Sequence, residues 1–113
     1  MQPYTRDLTE QESDALTCAR RGIQWLDSNL PNWRTTIEVA DLDMSDSHSC
    51  ALGQATDLPF QTAANFYHLD MLDDCIKLGF NCPIPILKIG TEYGTHGYEE
   101  LNWAWKSLLG GRS

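Results

Sequence analysis

His48 and Cys50 form the closest pair of cysteine or histidine residues in the sequence. Separated by one residue, they could supply two zinc ligands, with Cys18, Cys75 or Cys82 completing the set. Structural zinc sites usually draw their ligands in close pairs, such as two cysteines separated by two to four residues. The remaining cysteines are scattered along the chain, so we expect no zinc site. The structural alternative is a histidine at a helix start and cysteines in the core.

The segment Asp41-x-Asp43-x-Ser45 is similar to the opening of a calcium-binding EF-hand loop. Such a loop requires glycine at its sixth position and a bidentate glutamate at its twelfth. Those positions hold Asp46 and Leu52, which excludes an EF-hand. Two interpretations are left: a cation site of another kind, because clustered carboxylates attract hard cations, or a solvated acidic connector that caps a helix.

Nucleophilic catalysis would require a cysteine activated by a histidine or by nearby cations. Cys50 could pair with His68 or His96, but nothing in the local sequence marks a nucleophile. Only Cys18 and Cys75 have a Lys or Arg within two residues to lower the pKa of the thiol, and both lie on apolar helix faces. A glycine-rich phosphate loop is absent from the sequence. We therefore predict a protein that is not an enzyme, with no cofactor or metal and with four reduced cysteines.

Acidic residues are concentrated in the middle of the sequence. The segment 35–76 contains eight Asp or Glu residues and no Lys or Arg, which favours a basic partner. Trp103 and Trp105 would point about 200° apart on a helix, so burial of Trp105 would leave Trp103 partly exposed as a potential interface anchor. The alternative is ordinary solubilising charge. The candidate partner-binding residues are Asp41, Asp43, Asp46, Asp70, Asp73, Asp74 and Trp103.

Two helices near the ends of the sequence have the clearest signals. The first opens with Thr9 and Glu12, the spacing of a capping box, and ends at Asn29. The last covers residues 98–109. Each has a continuous apolar row to bury, so we expect the two helices to pack against each other. The rows are Leu16, Ala19, Ile23, Leu26 and Leu30 in the first helix and Tyr98, Leu101, Trp105 and Leu108 in the last.

The middle of the chain is predicted to contain one more long helix, two short helices and an arm. The long helix covers residues 62–78, and it would place the aspartates at 70, 73 and 74 on neighbouring positions. One short helix covers 33–37, with an extended conformation as the alternative. The other covers 48–54 and is capped by Ser45 or Asp46. An irregular, proline-containing arm covers 82–93, and it could include a short edge strand at 86–89.

Composition limits the class of protein. The 113 residues carry a net charge of −8, and 42% of them are hydrophobic. This is enough apolar material for one core, so we expect a single small, compact all-α domain over 1–113, with residues 1–8 flexible. The negative charge disfavours direct binding to nucleic acid or to anionic membranes. A membrane span and a secretory signal are both absent from the sequence, which predicts a cytoplasmic protein.

Several short motifs occur in a characteristic order. The most distinctive are Cys-x-Leu-Gly-Gln at 50–54 and Leu-Gly-Phe-Asn at 78–81, followed by Tyr-x-x-Leu-x-x-x-Trp-Lys at 98–106. Over roughly residues 15–109, this order resembles a family of small proteins encoded by bacteriophages and prophages of actinobacteria. The family's function is unknown, so the resemblance implies a biological setting and supplies no catalytic residues.

These features predict a non-enzymatic phage or prophage accessory protein that binds and modulates a host bacterial protein in the host cytoplasm. One alternative is an acidic mimic of DNA that inhibits a nucleic-acid-binding host or defence protein, although the acids are sparse beside one charge per ~1.7 Å of duplex. Another alternative is a small metal-binding structural protein. The sequence is also compatible with a homo-oligomer.

Overall fold

In the part of the chain that the structure describes, five α-helices are connected by 3-10 turns and irregular segments. The computed structural model describes residues 8–89 and 91–110. The predicted all-α fold is confirmed, whereas the predicted flexibility of residues 1–8 concerns a segment that, except for Leu8, lies outside the described residues. The α-helices are α1 (Glu10–Asn29), α2 (Ala51–Thr56), α3 (Phe60–Phe66), α4 (Asp74–Lys77) and α5 (Tyr98–Leu109). Between them lie 3-10 turns at Trp33–Thr35, Val39–Asp41, Pro85–Leu87 and Thr91–Tyr93.

Helix α1 begins with the capping box that the sequence predicts. The hydroxyl of Thr9 accepts a hydrogen bond from the backbone N–H of Glu12 (3.0 Å), and the Glu12 carboxylate accepts one from the N–H of Thr9 (3.0 Å). These two bonds satisfy amides that the first helical turn leaves unpaired. Helix α1 covers Glu10–Asn29, so its predicted start and end are both confirmed.

Replacing Thr9 with alanine should lower the free energy of unfolding by about 1 kcal/mol, because the amide of Glu12 loses its acceptor. Urea denaturation measures this loss. The matched control is Thr17→Ala, at an exposed position inside the same helix, where alanine has the higher helix propensity and stability should not fall. An equal loss in both variants would contradict the capping role of Thr9.

Helices α1 and α5 pack against each other, as predicted. The buried face of α1, however, is rotated from the expected apolar row. It consists mainly of small residues, and three of the predicted leucines and isoleucines lie at its partly buried edge. Small residues are required there because the Trp105 indole approaches α1 closely: a methyl group on Gly22 would lie 2.8 Å from its Cζ2 atom. The buried residues of α1 are Ala15, Cys18, Ala19, Gly22 and Leu26.

A continuous series of ring contacts, the aromatic row, runs from the core to the surface. Trp105 is fully buried and stacks on Phe80 with ring centroids 5.8 Å apart. Phe80 contacts Trp25 edge to face at 5.8 Å, and Trp25 contacts Tyr67 in the same way at 5.4 Å. Tyr67 in turn contacts Phe66, which is 66% exposed. One cluster of buried side chains, the core, includes residues from all five helices. The aromatic row connects this core to solvent.

The predicted long helix over 62–78 is wrong. Helix α3 ends at Phe66, and His68 has a positive φ of 59°. The N–H of Leu69 donates to the carbonyl of Ala64 (2.8 Å), a bond that closes a helix around a left-handed residue. A non-helical turn follows, and the next helix, α4, has only four residues. After α4, Gly79 also has a left-handed conformation, with a φ of 75°.

Two shorter elements also differ from the prediction. Helix α2 starts at residue 51 rather than 48, and its N-cap is Cys50, whose sulfur accepts a hydrogen bond from the N–H of Gly53 (3.2 Å). Asp46 instead caps the turn that precedes the helix. The predicted edge strand at 86–89 is wrong: an antiparallel bridge joins Ile84 and Ile89, with a 3-10 turn between them. Within the described ranges, no helix has the length and apolar character needed to cross a membrane.

Candidate interaction surface

Three of the predicted partner-binding aspartates lie in one turn, residues 70–74, which we call the acidic turn. The Asp70 carboxylate accepts hydrogen bonds from the N–H groups of Leu72 (2.9 Å) and Asp73 (2.7 Å). The Asp74 carboxylate accepts one from the N–H of Asp70 (2.9 Å). These bonds explain why the helix is interrupted, since an aspartate side chain offers backbone amides an alternative to helical carbonyls. They also hold the carboxylates of Asp70 and Asp74 in place.

Hydrogen bonds connect the acidic turn to both ends of the arm, residues 82–93. Just before the arm, the side-chain amide of Asn81 donates to the carbonyl of Met71 (3.1 Å) and its oxygen accepts from the Tyr98 hydroxyl (3.0 Å). At the end of the arm, the Tyr93 hydroxyl donates to the carboxylate of Asp73 (3.1 Å). Hydrogen bonds to Glu92 and to Asp73 raise the pKa of Tyr93 to about 12, so this hydroxyl remains a donor at neutral pH. The acidic turn and the arm therefore form one connected surface.

The arm presents two apolar side chains, Ile86 and Leu87, which we call the arm tip. Ile86 is 88% exposed and Leu87 is 62% exposed. The loop that carries them is closed by backbone hydrogen bonds between Ile84 and Ile89, with N···O distances of 2.7 and 3.1 Å. Lys88 completes the loop in a left-handed conformation (φ 57°), which is uncommon for a residue other than glycine. A closed loop thus holds two apolar groups in solvent.

The remaining predicted aspartates lie elsewhere, in the loop that precedes α2. Asp43 accepts hydrogen bonds from the hydroxyl and the N–H of Ser45, and these bonds lower the pKa of its carboxyl. Hydrogen bonds from Ser49 have the same effect on the pKa of Asp46. This loop is attached to α5 through Asn102, whose side-chain oxygen accepts from the N–H of Met44 (2.6 Å). Both carboxylates therefore stay ionised and serve the loop's own structure.

Asp41 and Trp103 complete the predicted set. Asp41 is exposed at the end of a 3-10 turn, and Trp103 is partly buried on α5, while Trp105 is fully buried. The structure thus brings Asp70, Asp73 and Asp74 together, whereas Asp43 and Asp46 share the loop before α2, Asp41 lies in a 3-10 turn and Trp103 lies on α5. The arm tip and Tyr93 were missed by the sequence-based prediction, because neither apolar periodicity nor charge clustering identifies them.

The four cysteines, candidates for zinc ligands or a nucleophile, are all buried. Burial raises the pKa of Cys18 to about 11 and those of Cys75 and Cys82 to about 12. The Cys50 thiol is equally buried, which raises its pKa, and its sulfur contacts the carbonyl of Ser47 and the N–H of Gly53. These thiols are therefore protonated at neutral pH, whereas a cysteine nucleophile acts as the thiolate.

The histidines differ in environment: His48 and His68 are exposed, and His96 is buried. In the part of the chain that the structure describes, no three His, Cys, Asp or Glu side chains are arranged to hold a metal ion. Compared with known proteins, the chain matches no family model and has no significant similarity to a curated protein or to a solved structure.

Proposed function

We propose that this chain is a non-enzymatic accessory protein of a bacteriophage or prophage, and that it acts in the host cytoplasm by binding and modulating a host bacterial protein. The observation that carries the proposal is the arm tip, two exposed apolar side chains on an arm whose ends are hydrogen-bonded to the acidic turn. The order of the motifs at 50–54, 78–81 and 98–106 supports the phage setting, because it resembles that of small actinobacterial phage proteins.

The apolar part of the surface supplies binding energy. Ile86 and Leu87 would each contribute roughly 1.5 to 3 kcal/mol if a partner buried them fully. The backbone bonds between Ile84 and Ile89 hold the loop in one shape before binding, so less conformational freedom is lost on association. An apolar pocket on the partner is the complement of this loop.

The acidic part of the surface supplies attraction and orientation. Three carboxylates lie within five residues, and two of them are held by backbone amides. Such a group attracts a basic surface and raises the association rate by tenfold or more at low salt. The partner we propose therefore presents basic side chains beside an apolar pocket.

The test uses two variants of the full chain. In D70N/D73N/D74N the asparagine oxygens still accept the backbone and Tyr93 hydrogen bonds, so charge is lost while the turn is kept; lysines at 70 and 74 would remove acceptors that the turn needs. In I86S/L87S the apolar groups are lost. The chain is immobilised to capture proteins from an actinobacterial lysate, and the captured protein is then purified for rate measurements.

We expect the charge variant to slow association about tenfold at low salt and the arm-tip variant to speed dissociation about tenfold or more. The matched control E10Q/D57N/E99Q removes three exposed charges from other parts of the surface and should associate faster than the charge variant at the same salt concentration. If both variants keep the wild-type association and dissociation rates, the acidic turn and the arm tip are not the binding surface. If the arm-tip variant binds normally while duplex DNA competes with the chain for the captured protein, the DNA-mimic alternative replaces the proposal.

A further inference from the structure

His96 is a buried imidazole without hydrogen-bond partners in the described ranges. The residue is 1% exposed, and neither ring nitrogen has a partner there. Buried polar groups are nearly always paired, because each unpaired group costs free energy. An unpaired and titratable side chain at such a depth is therefore an unusual feature of this core.

His96 belongs to the segment 91–97, which connects the end of the arm to α5. The carbonyl of Tyr93 accepts a hydrogen bond from the Cys18 thiol of α1 (3.7 Å). The backbone at Gly94 lies against the side chain of Asp14, so closely that a methyl group added to Gly94 would be 2.5 Å from the Asp14 Cβ. The N–H of Gly97 donates to the carboxylate of Glu100 (2.8 Å). His96 is the only buried side chain of this segment, so its ring holds the segment against the core.

The groups around the ring determine its charge. Asp14 of α1 and Glu100 of α5 carry negative charges that favour a protonated ring, but burial opposes protonation more strongly, and the pKa of His96 is lowered from 6.5. Burial raises the pKa of the Cys18 thiol, which is bonded to the carbonyl of Tyr93, to about 11 and that of the Cys82 thiol to about 12, so both thiols are neutral. The ring is therefore neutral while the segment is closed.

We propose that residues 91–97 are an acid-sensitive latch, closed while His96 is neutral and opened when the ring leaves the core and binds a proton. In the open segment the solvated ring has its ordinary pKa of 6.5, whereas the closed segment resists protonation. Acid therefore favours the open form, and the stability of the closed form relative to the open form reaches its full value only above pH 6.5. Opening displaces Tyr93 and thereby breaks its hydrogen bond to Asp73, which joins the arm to the acidic turn.

Hydrogen exchange of the wild-type chain between pH 7.5 and 5.0 tests the latch without any partner, so its outcome is separate from that of the proposed function. After correction for intrinsic exchange rates, we expect the open fraction of 91–97 to rise below pH 6.5, by at most about tenfold per pH unit. The amide of Leu26 in α1 should keep its protection. His68→Asn, a change at an exposed histidine, should leave the profile unchanged, and His96→Phe should abolish the pH dependence.

A second measurement on the wild type applies even if His96→Phe does not fold. Nuclear magnetic resonance titration of the His96 ring should show a midpoint below 6.5, the ordinary pKa of histidine. A midpoint at or above 6.5 would overturn the latch. Equal loss of protection in 91–97 and at Leu26 would also overturn it, because acid would then unfold the whole domain.

Discussion

Replacing Trp105 with alanine should lower the free energy of unfolding by about 3 to 5 kcal/mol. The indole is fully buried between α1 and the loop after α4, and it stacks on Phe80. Its N–H donates to the carbonyl of Gly79 (2.7 Å), so the truncation leaves a cavity and an unpaired buried carbonyl together.

Urea denaturation followed by circular dichroism measures this loss without depending on the tryptophan that is removed. Trp103→Ala is the matched control, because Trp103 lies on the same helix but is only partly buried, and the loss should be clearly smaller. A loss below about 1 kcal/mol for Trp105→Ala, which is typical of a surface position, would contradict the packing of α1 against α5.

Replacing Gly22 with alanine should also destabilise the fold, by about 2 to 3 kcal/mol. In an exposed helix interior the same change stabilises by about 1 kcal/mol, because glycine is a poor helix former. Here the added methyl group would overlap the carbonyl oxygen of Leu78 and lie 2.8 and 2.9 Å from two ring atoms of Trp105. Backbone and a packed indole must both move, so the sign of the effect is reversed.

Thermal or urea unfolding of Gly22→Ala beside Gln24→Ala makes the comparison within one helix. Gln24 is exposed, and its replacement should change the free energy of unfolding by less than about 0.5 kcal/mol. A stabilised Gly22→Ala chain would show that α1 does not approach the Leu78 carbonyl and Trp105 as closely as described.

The elements that could be predicted from the sequence are those determined by local chemistry. The capping box of Thr9 and Glu12 and the helix over residues 98–109 depend on neighbours within one helix, and both predictions are confirmed. The apolar row predicted for the last helix is only partly right, because Leu101 and Trp105 are buried but Tyr98 is 40% exposed. The break between α3 and α4 was missed because apolar residues continue at helical spacing across it. What ends the helix is the left-handed His68 and the carboxylate of Asp70. Apolar periodicity does not register either feature.

Contacts between distant elements account for the other differences. The buried face of α1 could not be predicted, because Gly22 is buried where a large indole from α5 requires a small neighbour. In the candidate surface, composition identified the acidic residues. Their arrangement depends on bonds from Asn81 and Tyr93, which lie ten and 20 residues away in sequence from their partners. The exposure of Ile86 follows from the closed arm loop, for which the sequence pattern suggested a strand.

The packing of α1 against α5 also determines when the nascent chain can become stable during synthesis. Residues 10–29 are translated well before residues 98–109, and the intervening chain forms only short helices. Until α5 leaves the ribosome, the small-residue face of α1 lacks the indole that covers it, and its apolar groups stay in contact with water or with chaperones. Contacts between residues this far apart in sequence form more slowly than the local contacts that are typical of helical proteins. The packed core of the domain therefore forms only after translation of α5.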